Sequence, residues 1–323
     1  GLVGSEMCIR DRETEYVAGV DENNVEQVLE DIIKAGADII FCVGPQMMPN
    51  SLKVAVEHPE VYILNCSLNA PHPYIRTYYG RMYEAKFLAG MIAGAVTDNE
   101  RVAYIADYPI YGMIANINAF ALGVASVNPR AKVYLAWSKT KDYDRNKFLT
   151  ENDLHYVSDQ DIITPNDASR YFGLYKLQDG QALNLAMPIW NWGVFYEKLL
   201  QSVLAGSYKA EGQEQVKALN YWWGMSAGVI DLICSKHVPY GVKRLADHLK
   251  SDITKGEVVP FFGQIYDQKG ELKNKGEHEM KPSDIMKMDW LVDNVVGSIP
   301  PMSEFVDNAK MVVELKGVEE NKL

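Results

Sequence analysis

The sequence predicts an α/β fold built on parallel sheets, and three observations carry that prediction. Short apolar runs recur at Ala37–Val43, Val61–Cys66, Arg101–Ala106 and Lys132–Trp137. They are too short for helices and lack polar alternation, as strands covered on both faces do. Between them lie stretches with helical period, and that alternation is the order of βαβ units. The stretch 81–137 shows it most clearly: Ala85, Leu88, Ala89, Ile92, Ala93 and Val96 form an apolar helix stripe, and Ile114, Ile117, Phe120, Ala121 and Val124 form a second. Gly90 and Gly94, four apart, allow another backbone to approach the first helix closely. Asn128-Pro129 stops the second.

The rest of the chain follows in order. Tyr16–Val20 is expected as a short strand. Val25, Val28, Leu29, Ile32 and Ile33 make a helix closed by Ala35-Gly36, and a further helix spans about Met48–Val56. After Trp137, residues 142–152 are polar and helical, and His155–Ser158, Tyr171–Tyr175 and Leu183–Met187 are strands, the last ended by Pro188. Trp192, Phe195, Tyr196, Leu199, Leu200, Val203 and Leu204 give a helix stopped at Gly206. Lys217–Trp223 is a strand, and Val242 to Ile253 carry a helix stripe. Phe261–Ile265 and Glu271-Leu272 form a hairpin, and Ser283 caps a short helix through Trp290. The segment 301–323 is expected as a charged tail.

Bulk properties narrow the function classes. The 323 residues have room for one large domain or two lobes of about 150 residues each. Hydrophobic residues are 47% and charged residues 23%, an ordinary globular balance. The net charge of −11 argues against nucleic acid as a partner. The longest apolar helix candidate, Phe87–Val96, is about half of the ~20 residues that span a bilayer. The four cysteines, Cys8, Cys42, Cys66 and Cys234, form no Cys-x-x-Cys pair and no metal-type cluster with histidine, and Cys42 and Cys66 read as buried free thiols. No cofactor and no metal are called. The opening GLVGSEMCIRDR, residues 1–12, reads as a translated sequencing-adapter scar, with native sequence from about Glu13.

Three motifs of the central stretch carry a family resemblance. They are Tyr-Glu-Ala-x-Phe-Leu-Ala-Gly-x-Ile-Ala-Gly at 83–94, Val-Ala-Tyr-Ile-Ala at 102–106 and Phe-Ala-Leu-Gly-Val-Ala-Ser-Val-Asn-Pro at 120–129. They resemble the basic membrane protein (PnrA-like) family of ABC-transporter substrate-binding proteins, over roughly residues 13–300. The resemblance implies a type I periplasmic-binding-protein fold, with two doubly wound parallel-sheet lobes and a ligand cleft between them. One lobe would hold about 13–98 plus 191–206, the other about 99–188 plus 217–235. It implies a non-catalytic protein that binds a small polar molecule, nucleoside-like by family, for an ABC permease. It also implies a place in the cell envelope at the plasma membrane, and a monomer or weak oligomer.

Within that fold, strand-end loops converge on the ligand. They carry Gln46, Asp107, Tyr108, Asp159, Gln160 and Tyr175. The family layout adds Arg81, Tyr83 and Glu84 at the start of the central helix. Trp190, off the stripe of the following helix, is a candidate stacking platform. This mixture of rings, amides and carboxylates suits a flat polar ligand; ordinary loop polarity is the plainer reading of any one of them. Three nucleoside-recognition elements do not match. The first-strand motif is absent, Gly173-Leu174-Tyr175-Lys176-Leu177-Gln178 stands where Gly-Val-Asp-x-Asp-Gln is expected, and the later Ser-x-x-Lys is replaced around Met187–Asn191, which holds no lysine.

Two other classes stay open at this point. The tryptophan-rich segments around Trp190-Asn191-Trp192 and Trp222-Trp223 resemble a divergent branch, which allows a cytoplasmic ligand-sensing domain of a larger regulator. Gly224-Met225-Ser226-Ala227-Gly228 matches the nucleophile elbow Gly-x-Ser-x-Gly, so Ser226 could serve a hydrolase with Asp231 and His237. Their spacing, five and eleven residues on, is far shorter than such triads use. The six histidines show no metal-protease spacing, and no phosphate-binding glycine loop is present.

Overall fold

A computed structural model describes residues 14–21, 23–68, 74–161, 170–206 and 221–317. The expected scar at 1–12 and the first part of the strand expected over Lys217–Trp223 lie outside them. The chain divides into two compact units, one of residues 1–67 with 72–76 and one of residues 68–71 with 77–323.

The first unit contains helix α1 (Val25–Lys34), strand β1 (Ile39–Cys42), helix α2 (Met48–Glu57) and strand β2 (Tyr62–Cys66). β1 and β2 pair in parallel, Ile39 opposite Tyr62. Val25 and Leu29 of α1 and Val54 and Ala55 of α2 bury against Ile40, Cys42 and Ile63 of the strands, as their spacing requires. Tyr16–Val20 forms no strand, which corrects the expectation; the run is largely exposed and has no strand beside it. Cys42 is buried, whereas Cys66 is only half-buried.

The second unit holds strand β3 (Arg76–Gly80) from Thr77 on, helix α3 (Met82–Val96), strand β4 (Arg101–Ala106), helix α4 (Met113–Val127) and strand β5 (Lys132–Trp137). Helix α5 (Arg145–Glu151), strands β6 (Tyr156–Ser158), β7 (Leu174–Gln178) and β8 (Gln181–Trp190), and helix α6 (Trp192–Leu204) follow. Strand β9 (Tyr221–Trp223), strand β10 (Ile230–Cys234), helix α7 (Tyr240–Lys255), strands β11 (Gln264–Tyr266) and β12 (Leu272–Lys275), helix α8 (Pro282–Met286), strand β13 (Val295–Val296) and helix α9 (Asp307–Lys316) complete it.

Its seven-stranded sheet has the order β10-β8-β7-β6-β4-β5-β13. From β6 to β13 every pair is parallel, and from β6 to β10 every pair is antiparallel. The parallel core is therefore continued by an antiparallel hairpin and an edge strand, which the run-by-run reading did not separate. β8 runs on to Trp190, past the proline expected to end it. β7 begins only at the Leu174–Ala186 pair, so no residue of β7 lies opposite Pro188 and the N–H that Pro188 lacks is missed by no strand on that side. A separate parallel pairing joins β3 to β9, Tyr78 opposite Tyr221.

α3 and α4 are the centre of this unit. Both are buried almost all round, and a Cβ on Gly123 would overlap the Phe87 carbonyl and lie 2.9 Å from Met91 N. A Cβ on Gly90 would lie 2.8 Å from the Phe120 carbonyl carbon. The two helices thus touch backbone to backbone, which only glycine permits. Asn118 of α4 is buried and fixes the C-terminal segment. It donates to Trp290 O at 2.8 Å and accepts from Val292 N at 3.0 Å.

The C-terminal expectations change in two places. Ser283 does not cap α8; Lys281 holds the cap position, Pro282 opens the helix, and the helix ends at Met286. Residues 307–316 of the expected tail are helical, with Phe305, Ala309 and Val313 buried in their own cluster.

Candidate functional site

The chain leaves β4 for β5 on one side and returns to β6 on the other. The loops after β4 and β6 therefore part at a switch point of the sheet, where open α/β sheets hold ligands. Asp107 follows β4 and accepts a hydrogen bond from the Ser138 hydroxyl. Asp159 follows β6. Its Oδ1 accepts from Gln160 N at 2.8 Å, and its Oδ2 accepts from the Tyr175 hydroxyl at 2.9 Å.

Arg145 completes this group. Asp144 caps α5 by accepting from Lys147 N at 3.0 Å, which sets Arg145 at the first helical position. Its guanidinium donates to the Tyr175 hydroxyl, approaches Asp159 Oδ2 to 3.5 Å through Nε, and lies 3.9 Å from the centre of the Tyr171 ring. Arg145 Nε is buried and makes no hydrogen bond of its own. Burial, then the Asp159 charge, raises the Tyr175 hydroxyl far above its ordinary range. The same two causes push Tyr143 up to about 12, so both phenols are donors at any physiological pH.

A second ion pair lies beside it. Lys86 of α3 is 1% exposed and meets Asp161 Oδ1 at 2.6 Å. It also donates to Ser158 Oγ at 3.2 Å and stands 5.0 Å from the centre of the Tyr104 ring. Burial raises the Asp161 carboxyl; Lys86 opposes the shift, and the charges of Asp159 and Asp107 add to it. Three carboxylates thus sit near one another with two cations to balance them.

The start of α3 makes a third arrangement. Glu84 is buried and accepts from Met225 N at 2.6 Å. Burial raises its carboxyl, and that N–H lowers it again in part. A side chain on Gly224 would collide with the Glu84 carboxylate. The glycine of the Gly-x-Ser-x-Gly motif therefore admits an acid and exposes no strained nucleophile. Ser226 is exposed in a short 3-10 turn. Asp231 is paired with Lys250, and His237 bonds to Ser235. Arg81 donates to Trp222 O at 2.6 Å through Nε.

The sequence candidates distribute as follows. Asp107, Asp159 and Tyr175 come together. Gln160 contributes backbone only, its side chain being exposed. Tyr108 packs on the Phe305 cluster. Tyr83 is wedged between Trp222 and Phe261, with ring centres 5.4 and 5.3 Å away. Trp190 ends β8 opposite Ile230, and its indole N–H is buried without an acceptor. Gln46 is exposed in the first unit. Arg145, Lys86, Ser138 and Tyr143 were not singled out by sequence. Arg145 carried one legible signal, the Asp-x-x-Lys cap at the start of a polar helix.

Comparison with known proteins decides the family. The PnrA-like ABC transporter substrate-binding protein family matches residues 6–171, just over half of the sequence. The chain belongs to that family. It is similar to a purine-binding protein of Brucella abortus, 26% identical over 89% of this chain and 84% of that protein. It is also similar to Haloferax volcanii TsgA13, assigned as an ABC transporter glucose-binding protein. That match is 30% identical over 67% of this chain, which spans 57% of TsgA13. An ABC transporter solute-binding protein from Conexibacter woesei shares the fold, with a TM-score of 0.54 at 17% identity, covering 79% of this chain and 89% of that one. The chain is accordingly an ABC transporter substrate-binding protein with the periplasmic-binding-protein fold. Among the described residues no helix is long and apolar enough to cross a membrane.

Proposed function

We propose that this substrate-binding protein captures a small polar molecule of purine or sugar type at the cluster of Asp107, Asp159, Tyr175 and Arg145. The observation that carries the reading is the meeting of carboxylates, a guanidinium and phenol rings at the carboxyl ends of the adjacent parallel strands β4 and β6. Carboxylates accept from ring N–H or hydroxyl groups, and the Tyr171 and Tyr143 rings offer flat apolar faces. Trp190 is a further candidate ligand contact, because its buried and unpartnered indole N–H suits an acceptor. The purine-binding and glucose-binding relatives support these ligand classes.

The protein binds without converting its ligand. It acts outside the cytoplasmic membrane, attached to the cell envelope, and delivers its ligand to an ABC permease. The two-lobe division, 13–98 with 191–206 and 99–188 with 217–235, belongs to the same proposal.

Titration of the purified protein with purine bases, purine nucleosides and hexoses, followed by thermal unfolding, tests it. A ligand at 100 times its dissociation constant stabilises by about 2.7 kcal/mol. A saturable shift with one class, lost in Asp159→Ala, supports the reading. A shift unchanged by Asp159→Ala and Asp107→Ala rejects the site.

A further inference from the structure

We infer that Glu30, Glu57 and His58 bind a borderline transition-metal ion such as Zn2+, with Glu60 orienting the histidine. Each of the three offers a ligand atom, and these atoms lie within 4.8 Å of one another. Glu30 comes from α1; Glu57 is the last residue of α2 and His58 follows it as the C-cap. The carbonyl end of a helix is the negative pole of its dipole and favours a cation.

The histidine is set as a metal ligand's would be. Its Nε2 faces Glu30 Oε1 at 2.9 Å, and its Nδ1 lies 3.3 Å from Glu60 Oε1. Metal-bound histidines hold the second ring N–H on a carboxylate in this way, which fixes the tautomer and raises ligand basicity. The ligand set is one imidazole and two carboxylates. That suits Zn2+, Co2+ or Ni2+ rather than the all-oxygen shells of Ca2+ and Mg2+. Binding replaces the proton shared between His58 Nε2 and Glu30 with the metal, so one proton is released to solvent where the imidazole was charged. Glu30 and His58 are 28 residues apart, which is why no sequence spacing reveals the site. The ion would tie α1 to the end of α2.

The test is Zn2+ titration of the whole protein in competition with a chromophoric chelator, with Co2+ absorption as a second readout. One equivalent is expected to bind, with the d–d intensity of a four-coordinate site. His58→Ala should abolish that equivalent, and Glu60→Gln should weaken it by about 10–100-fold. Far-UV circular dichroism of each variant confirms that it is folded, and Glu57→Gln provides a second ligand variant that leaves the His58 contacts intact. Stoichiometric binding unchanged in both His58→Ala and Glu57→Gln, or no binding by the native protein at micromolar Zn2+, overturns the inference.

Discussion

Gly123→Ala probes the contact on which the second unit is built. The added methyl would overlap the Phe87 carbonyl oxygen and sit 2.9 Å from Met91 N, both on the backbone of α3. Backbone atoms cannot rotate away as a side-chain tip can, so the helices must separate. Overpacking of this kind costs about 3 kcal/mol. Alanine in a helix recovers about 1 kcal/mol over glycine, which leaves a net loss of about 2 kcal/mol. For a chain of this size that is a fall of roughly 3 °C in Tm. Gly241, in the first turn of α7, is the control, because a Cβ there meets nothing within 4 Å. Gly241→Ala should leave Tm unchanged or raise it slightly. Urea and thermal unfolding followed by circular dichroism measure both. A Gly123→Ala protein as stable as the native one would refute the backbone contact.

Three further outcomes follow from the site. Lys86→Met strands the Asp161 carboxylate and should cost about 3–5 kcal/mol, while adding Asp161→Asn should recover much of it; urea midpoints of the single and double variants check this. Tyr175→Phe removes the hydroxyl that links Arg145 to Asp159, and should weaken ligand binding about tenfold, or about 1.4 kcal/mol, by titration calorimetry. Burial raises the Glu84 carboxyl above 4.5, so the folded state holds that proton more tightly than the unfolded chain. Its contribution to stability is present below pH ~4.5 and is lost as pH rises through the raised value. The native protein should therefore gain stability relative to Glu84→Gln as pH falls from 7.5 to 4.5, and a constant gap in urea midpoints would contradict the assignment.

Much of the fold was legible because single elements specify themselves. Arg101–Ala106 and Lys132–Trp137 are strands to the residue, since an apolar run covered on both faces has no other short solution. The α3 and α4 stripes and their glycines announced a close helix pair. What escaped depends on partners distant in sequence. β10 and β13 are short edge strands defined by β8 and β5, and the passage of β8 through Pro188 depends on where β7 begins. The carboxyl-end rule placed Asp107 and Asp159 together. Nothing local told that Lys86, inside an apolar helix, would meet Asp161, or that Arg145 would reach Tyr175. The serine motif misled for a related reason: its glycine makes room for Glu84, 140 residues earlier. Tyr83 and Tyr108, polar by type, are held by aromatic and apolar neighbours that sequence order hides.

The loops after β4 and β6 are proposed to bind the transported solute. Titration calorimetry of the native protein and of the Asp107→Asn/Asp159→Asn double variant, against adenine, adenosine and glucose, tests it most directly. One-to-one binding of one of these classes by the native protein is expected, with a loss of at least a hundredfold in the double variant. Equal affinity in the two proteins would contradict it, and would move the binding site away from these carboxylates.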